Sequence, residues 1–566
     1  MEDRMMQLRP DLLGLISALS GYQRREERSS RATATERRRA TPEELAQDGE
    51  VIASARLESG GRQAVYRWDN GEPKLRRSQI LEILDRTAPE RPPRRAAVLA
   101  FDPLQRRLEL DVAAEGLPPL ATLMPAPSHV ADAVDEALQS FCRQPTAWPA
   151  ALALLNRSEA PPDPGGPPPR LSEGDARCDS IVRRALALDG ACLAVQGPPG
   201  TGKTHVGVRI ALEAILGKRR VGLLAPSHKA IANFCAALAR LAESRRVRNL
   251  SLVRSRDREG LDQISGVDMV DSLSRDFKRH HLLAGTIYQL CRLPPGALDL
   301  LIIDEAGQIP LAWAAAAGRL AKNIVILGDQ RQLPQVSMAQ HPGGGLSCLE
   351  HFAAGEAVID PRRGEFLDLT WRMNPEITRF LSRSVYAGRL KSHPSTALHV
   401  LTQHEPRDPA LGPEALVWLN LSHRGRSQSC PEEASEVERL CRLLLERGLA
   451  PEQMMIVVPF RAQEALLRAR LPASLGNQIG TVDRFQGREA DVVLFSMTCS
   501  DAESMPRDSE FLFSLERLNV ALSRARCKAI LLCGDKLLSS PARQLEQLRL
   551  MENFCRLKQC CLQVQV

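Results

Sequence analysis

Aromatic side chains make up only 4% of this sequence. That excludes extensive stacking on the bases of a polymer and leaves phosphate-backbone contacts as the expectation for any nucleic-acid grip. Long apolar runs are also missing, and no stretch approaches the ~18 residues of a membrane span. The apolar patch Leu12 to Leu19 is short, has Asp11 beside it and has no cleavage site behind it. No signal peptide is expected, and the expected location is cytoplasmic. The 14 cysteines contain no C-x-x-C pair, and the adjacent Cys560 and Cys561 fit neither zinc nor iron–sulfur spacing. Reduced thiols are the plain reading. The net charge of +7 is mild; it permits a polyanionic partner without demanding one.

What is present is an ordinary soluble composition, 43% hydrophobic and 25% charged, over 566 residues, enough for roughly three or four domains. Leu8, Leu12, Leu15, Ile16 and Leu19 fall at helical spacing. Arg24 to Arg39 then carries seven arginines among Ser, Thr and Glu and reads as a solvated or disordered arm, with a nucleic-acid contact as the alternative. Val51–Leu57 with Gln63–Trp68, and Ala96–Phe101 with Leu108–Val112, read as two hairpins, four short strands that suggest a small β-barrel or open sheet. Helical spacing returns with Val130, Val134, Ala137, Leu138 and Phe141, with Ser128 as candidate cap, and again from Trp148 to Leu155. Pro161 to Pro169 is a stiff, extended linker.

Beyond the linker, β and α patterns alternate as in a parallel sheet covered by helices. Strand candidates are Leu193–Gln196, Val221–Ala225, Leu300–Ile303, Ile324–Leu327, Met455–Val458, Val492–Ser496 and Ala529–Leu532, enough for two doubly wound domains with a break near Gly343–Gly355. The charged stretch Arg254 to His281 interrupts the first of these and reads as a surface insertion, with a helix as the candidate element.

The most informative stretch is Gly197-Pro198-Pro199-Gly200-Thr201-Gly202-Lys203-Thr204, which joins an apolar strand to a helical pattern. The glycines let backbone N–H groups turn toward phosphate oxygens, Lys203 can reach the β- and γ-phosphates, and the Thr204 hydroxyl suits Mg²⁺. The following helix aims its positive end at the same anion. A nucleoside triphosphate is therefore the expected ligand. Downstream, an apolar strand ends in Asp304-Glu305. Asp304 is placed to hold Mg²⁺, and Glu305 to orient and deprotonate the attacking water.

With Gly328-Asp329-Gln-Arg-Gln332-Leu-Pro334, these stretches resemble the superfamily 1 helicases, closest to the branch containing the nonsense-mediated-decay RNA helicase, senataxin and the immunoglobulin-mu-binding helicase. The resemblance spans roughly residues 171–540. It implies that Gln332 senses the γ-phosphate, that Trp371 in Thr370-Trp371-Arg372-Met-Asn-Pro375 stacks on the base, and that Arg372 reaches the γ-phosphate. Glu489, in Gly480-Thr481-Val-Asp483-Arg-Phe-Gln486-Gly487-Arg-Glu489, is implied near the ribose. Arg524, in Arg517 to Arg526, is implied as the arginine finger. The implied nucleic-acid contacts are Pro226, Ser227 and Lys229, then Thr286, Pro459, Thr481 and Asp483. The string from Pro506 to Leu512 also looks like bacterial helicase modules fused behind a nuclease, so a nuclease or another protein is a candidate partner.

The implied fold is α/β: two tandem RecA-like P-loop domains with a small N-terminal barrel on helical stalks. The expected division is an arm over 1–45, barrel over 46–120, stalk over 121–160, linker over 161–170, motor domains over 171–350 and 351–550, and a tail over 551–566. The implied function is an ATP- and Mg²⁺-dependent helicase or translocase on single-stranded DNA or RNA, with 5′→3′ polarity. The alternative is an ATP-gated clamp or remodelling subunit with little unwinding of its own. One departure stands out. The family carries an adenine-reading glutamine before the phosphate loop, and the matching string here, Leu171-Ser-Glu-Gly-Asp175, ends in a shorter side chain without an amide donor.

Overall fold

The computed structural model describes the chain apart from residues 1–9, 47, 60–62, 70–72, 74, 76–78, 89, 104, 128–131, 173, 248–249, 256–262, 276, 344, 402–407, 486, 502–511, 535, 540–544 and 566. Ser128, Val130, Gln486 and most of the Pro506–Leu512 string thus lie outside the described residues.

Six antiparallel strands form the N-terminal barrel: β1 (Ile52–Ser59), β2 (Ala64–Trp68), β3 (Ile80–Asp85), β4 (Arg94–Asp102), β5 (Arg107–Leu110) and β6 (Leu120–Pro125). They close in the order β1-β2-β5-β4-β3-β6, which leaves no open edge. The two expected hairpins are the β1–β2 and β4–β5 pairs. Two strands were not anticipated, because neither alternates cleanly. In β3 the fully buried Glu82 is paired with Arg38 and Arg95. In β6 four consecutive residues are buried, since Leu123 lines the barrel while Met124 packs against Ala34, Leu45 and Val51. The barrel therefore runs to Pro125, past the expected limit at 120.

The arginine-rich arm is a helix, Tyr22–Arg39, continuing from Pro10–Ser20, which corrects the reading of a disordered arm while Arg24, Arg28, Arg31, Arg38 and Arg39 stay exposed. Its charges are occupied on two sides. Arg37 pairs with Asp48 and Glu50, and Arg38 reaches Glu82 of the barrel. Glu26 accepts bonds from Ser337, from the Met338 and Ala339 amides and from His341. Leu12, Ile16 and Leu19 share a core with Val134, Leu138 and Phe141 of the helix Asp132–Arg143. Residues 10–45 are therefore a strut joining barrel, stalk and first motor domain.

The first motor domain is an all-parallel eight-stranded sheet in the order β10-β9-β11-β8-β12-β13-β7-β14. Its strands are β7 (Cys192–Gln196), β8 (Val221–Leu224), β9 (Leu252–Ser255), β10 (Val267–Val270), β11 (Leu282–Gly285), β12 (Leu298–Ile303), β13 (Ala321–Gly328) and β14 (Gly364–Phe366). Two differences from the sequence reading follow. The charged stretch 254–281 forms no α-helix among its described residues; β9 and β10 make it the sheet's edge. The boundary at 350/351 is crossed as well, because β14 returns to pair beside β7. A Cβ on Gly364 would lie 2.3 Å from the Ala194 carbonyl oxygen, so a glycine is what admits this strand.

After a two-stranded connection, β15 (Leu369–Thr370) with β16 (Lys391–Ser392), the second motor domain is a parallel six-stranded sheet. Its order is β19-β18-β20-β21-β17-β22. The strands are β17 (Leu416–Leu421), β18 (Met454–Val458), β19 (Ile479–Thr481), β20 (Ala490–Ser496), β21 (Ala525–Gly534) and β22 (Leu562–Gln565). The expected tail, 551–566, is instead the end of the helix Leu545–Cys560 and the edge strand β22, paired with β17. Two RecA-like α/β layers thus follow a small barrel. No helix among the described residues is long and apolar enough to cross a membrane.

Candidate active site

Parallel sheets gather ligand-binding loops at the carboxyl ends of their strands, and the sequence-predicted residues fall there. Gly197 follows β7, Pro226 follows β8, Thr286 follows β11, Asp304 follows β12, and Gln332 lies in the loop after β13. In the second sheet Pro459 follows β18, and Thr481 closes β19.

The phosphate loop is held from behind and from the side. The Gly197 amide donates to the Gly328 carbonyl at 2.9 Å. Thr201 Oγ1 donates to the Pro198 carbonyl at 2.7 Å, and Lys203 Nζ to the Gly197 carbonyl at 3.3 Å. Gly202, at φ 86°, caps the helix Lys203–Leu216. Gly200 takes φ 75°, and a Cβ there would sit 2.5 Å from Arg372 Cβ. Its absence lets the segment entering the second domain close onto the loop. Trp371 N donates to the Gly200 carbonyl at 2.9 Å, and Thr370 Oγ1 to the Pro199 carbonyl at 3.0 Å.

Opposite Lys203 stand Asp304 and Glu305. Asp304 is buried, and its carboxyl is pushed up to about 7, first by burial and then by Glu305, with Lys203 pulling the other way. Glu305 has φ 51°, a conformation costing a non-glycine residue of order 1–3 kcal/mol and most often kept where function needs it. Asp304 and the half-buried Thr204 hydroxyl are hard oxygen donors of the kind Mg²⁺ takes. A buried Asp304 beside a half-buried Glu305, facing one ammonium, also leaves negative charge for a cation to neutralise. The residues present therefore fit a magnesium–nucleotide complex.

The second domain supplies arginines. Arg372 Nε donates to Glu489 at 2.6 Å and Nη1 to the Ser523 carbonyl at 3.4 Å. Arg524 is 2% exposed and is lowered to about 10 by burial and then by Arg372, with Glu305 among the opposing charges; it stays cationic at neutral pH. Its Nη2 donates across the cleft to Gln332 Oε1 at 3.4 Å. Trp371, 54% exposed, stacks on His393 with centroids 3.6 Å apart, which leaves its other face open.

The expected strand contacts are more scattered. Ser227 spends its hydroxyl capping its own helix at Ala230 N, beside an exposed Lys229. Thr286, Pro459 and Thr481 are half-buried. The exposed Asp483 is paired with Arg517 at 3.2 Å. Asp175 caps the helix Ala176–Leu186, accepting from the Arg177 and Cys178 amides.

Sequence reasoning gave no role to Asp329, Tyr386, His393 or Asn519, which lie among the site residues. Asp329 stood inside a quoted motif; Tyr386 and His393 carry no local signal. Among the described residues one further group, His423, Cys430 and Glu433, is close enough to hold a metal. Its atoms are already engaged. Glu433 accepts from Ser496 Oγ and Thr498 N and contacts His423 Nε2, while Cys430 Sγ caps the helix at Glu433 N.

Residues 176–343 match a family model described as an AAA domain, and residues 346–536 match a second model with the same description. The chain is 26% identical over 441 residues to DNA-binding protein SMUBP-2 of Rattus norvegicus, covering 66% of this chain and 43% of that protein. It is 27% identical over 478 residues to Regulator of nonsense transcripts 1 of Dictyostelium discoideum, covering 71% of this chain and 34% of the relative. It therefore spans less than half the length of these curated relatives. A solved arterivirus nonstructural protein 10 (helicase) aligns over 84% of this chain and 77% of its own at 12% identity, with a TM-score of 0.42, a likeness too loose to build on.

Proposed function

We propose that the chain, as a superfamily 1 helicase in the branch of the nonsense-mediated-decay RNA helicase and the immunoglobulin-mu-binding helicase, is an ATP-driven translocase on single-stranded nucleic acid. The observation that carries the reading is the cross-cleft contact of Arg524 with Gln332, opposite Lys203, Asp304 and Glu305. Two domains contribute to one charge-handling site, so the chemistry there senses whether they are together.

In this reading Lys203 offsets charge on the β- and γ-phosphates, and Thr204 and Asp304 hold Mg²⁺. The bound ion would neutralise phosphate charge. Glu305 takes the proton of the attacking water. Gln332, Arg372 and Arg524 stabilise charge building on the γ-phosphate, a role in which one arginine can supply ~10³–10⁵ in rate. Domain closure around ATP and opening after release would ratchet a strand past Pro226, Ser227, Lys229, Thr286, Pro459, Thr481 and Asp483. Arg517, paired with Asp483, adds a cation beside that acid. We take the polarity as 5′→3′ from the family resemblance. A nuclease as protein partner is proposed from a further relative, the helicase/nuclease dna2 of Schizosaccharomyces pombe.

The deciding experiment measures ATP turnover with and without single-stranded DNA and RNA, then strand displacement on tailed duplexes. Strand-stimulated turnover with unwinding is expected. Turnover that ignores both polymers would overturn the reading, and stimulation without unwinding would favour a clamp.

A further inference from the structure

Tyr386 is among the largest fully buried side chains of the molecule. It follows the helix Pro375–Val385, whose N-terminus lies just beyond Trp371 and Arg372. Its hydroxyl donates to Asp329 Oδ2 at 2.7 Å and accepts from Asn519 Nδ2 at 2.8 Å. Asp329 belongs to the first motor domain; Tyr386 and Asn519 belong to the second. The bond to Asp329 therefore crosses the interface where no water competes with it.

The two ends of that bond are tied to the charge-handling residues. Gln332 Nε2 donates to the same Asp329 oxygen at 3.0 Å. Asn519 lies on the helix Leu515–Leu522, just before Arg524, and also donates to the Arg331 carbonyl at 2.8 Å. With Arg524 donating to Gln332, the chain closes a loop: Asp329, Tyr386, Asn519, the helix to Arg524, Gln332, and back to Asp329.

One atom in this loop is unspent. Asn519 Oδ1 is buried and has no hydrogen-bond partner among the described residues. A buried acceptor left without a donor has lost its water and gained nothing in return, and it calls for an explanation. It lies on the amide that touches the tyrosine hydroxyl. A half-turn of that amide would offer Oδ1 to the phenolic proton, satisfying Tyr386 within the second domain when Asp329 is withdrawn.

We infer that Tyr386 is a positioning residue, an inter-domain latch that donates to Asp329 when the motor domains are closed and to Asn519 when they part, so that Gln332 and Arg524 are aligned together or not at all. The phenol never touches nucleotide. It supplies a two-state element with a satisfied hydrogen bond in each state, which coupling between sites requires. The inference deepens the translocase reading and rests on it for what the coupling serves; the latch itself is a claim about the interface.

The test is Tyr386→Phe in the full chain, which keeps the ring and removes the bond. Turnover is measured at saturating ATP with and without a dT₂₀ or rU₂₀ oligomer, together with KM for ATP. Hydrogen exchange is followed in peptides covering 329–332 and 515–524, with and without a non-hydrolysable ATP analogue. The expected result is a strand-stimulation ratio reduced about tenfold, with KM within twofold of the parent. Nucleotide should protect both peptides in the parent and only the first in the variant. Asn519→Ala, which keeps the Asp329 bond but removes the alternative acceptor together with the amide's bonds to Tyr386 and the Arg331 carbonyl, should lower the ratio in the same way and serves if the tyrosine variant does not fold. Equal protection of both peptides in parent and variant overturns the latch, as does a KM rise with an unchanged ratio. A parent enzyme indifferent to either oligomer defeats the translocase reading, and the exchange experiment still decides the latch.

Discussion

The two walls of the nucleotide cleft are built on opposite principles. On the first domain's wall the charged groups are under-satisfied. Among the described residues Lys203 has one backbone carbonyl for its ammonium, and Asp304 accepts from the Glu305 amide alone, with its carboxyl pushed up to about 7. On the second domain's wall the cations are already engaged: Arg372 by Glu489 and Ser523, and Arg524 by the Val520 and Arg488 carbonyls and by Gln332. One wall is left to be completed by ligand. The other delivers positive charge whose geometry is set beforehand, which is where electrostatic stabilisation is most effective.

The largest expected effect comes from breaking the first wall. Lys203→Ala should abolish ATP hydrolysis and unwinding, with turnover down at least ~10³-fold, because the cation facing the β- and γ-phosphates is gone. Parent-like turnover in a steady-state assay would remove the phosphate loop from the mechanism. Glu305→Gln should separate binding from chemistry. The amide cannot take the water's proton, so turnover should fall ~10²-fold or more while Mg·ATP stays bound. Loss of affinity in a nucleotide titration, in place of lost turnover, would contradict the role given to Glu305.

Asp304 sharpens the contrast through pH. Its carboxyl lies above the usual range, at about 7, so between about pH 4 and 7 the folded chain holds a proton that the unfolded chain releases. The ligand-free protein should lose that increment of stability as pH rises through this window. Asp304→Asn should flatten the dependence and raise Tm above pH 7. Magnesium needs the ionised form, so more of it should be required for nucleotide binding as pH falls below 7. A melting profile with the same slope in parent and variant would show that the carboxyl is not the source.

How much of this was readable beforehand depends on the range of the interactions. The strand–turn–helix at Gly197–Thr204 was legible because its glycines, lysine and following helix are neighbours in sequence. So was the strand ending in Asp304-Glu305. The edge strands β14 and β22 were not, since their pairing partners lie far off in the chain. The helix Tyr22–Arg39 was hidden because its arginines look solvated until Glu82, Asp48 and Glu50 are brought beside them. Tyr386 sits outside every motif, and only the fold carries it to Asp329. Asp175 was legible in another sense: an aspartate directly before a helical stretch is an N-cap signal, and the structure uses it as one.

The smallest expected effect concerns the base, and there Asp175 and Trp371 divide the work unevenly. Asp175 turns its carboxylate to the Arg177 and Cys178 amides, so that side chain is committed to its helix. Trp371 rests one face on His393 and leaves the other open. An indole face accepts any purine, whereas an amide can pair with the adenine edge and reject guanine. GTP should therefore support hydrolysis within about tenfold of ATP, a difference of ~1.4 kcal/mol or less. Trp371→Ala should weaken both nucleotides alike, by the ~1–3 kcal/mol typical of base–aromatic stacking. Asp175→Gln should improve the preference for ATP only at the expense of the cap, whose loss costs about 0.5–2 kcal/mol, so a lower Tm should accompany any gain. Competition between ATP and GTP on the parent protein decides the matter. A hundredfold preference for ATP would mean that another group, from the proline-rich linker or the backbone near it, reads the adenine edge.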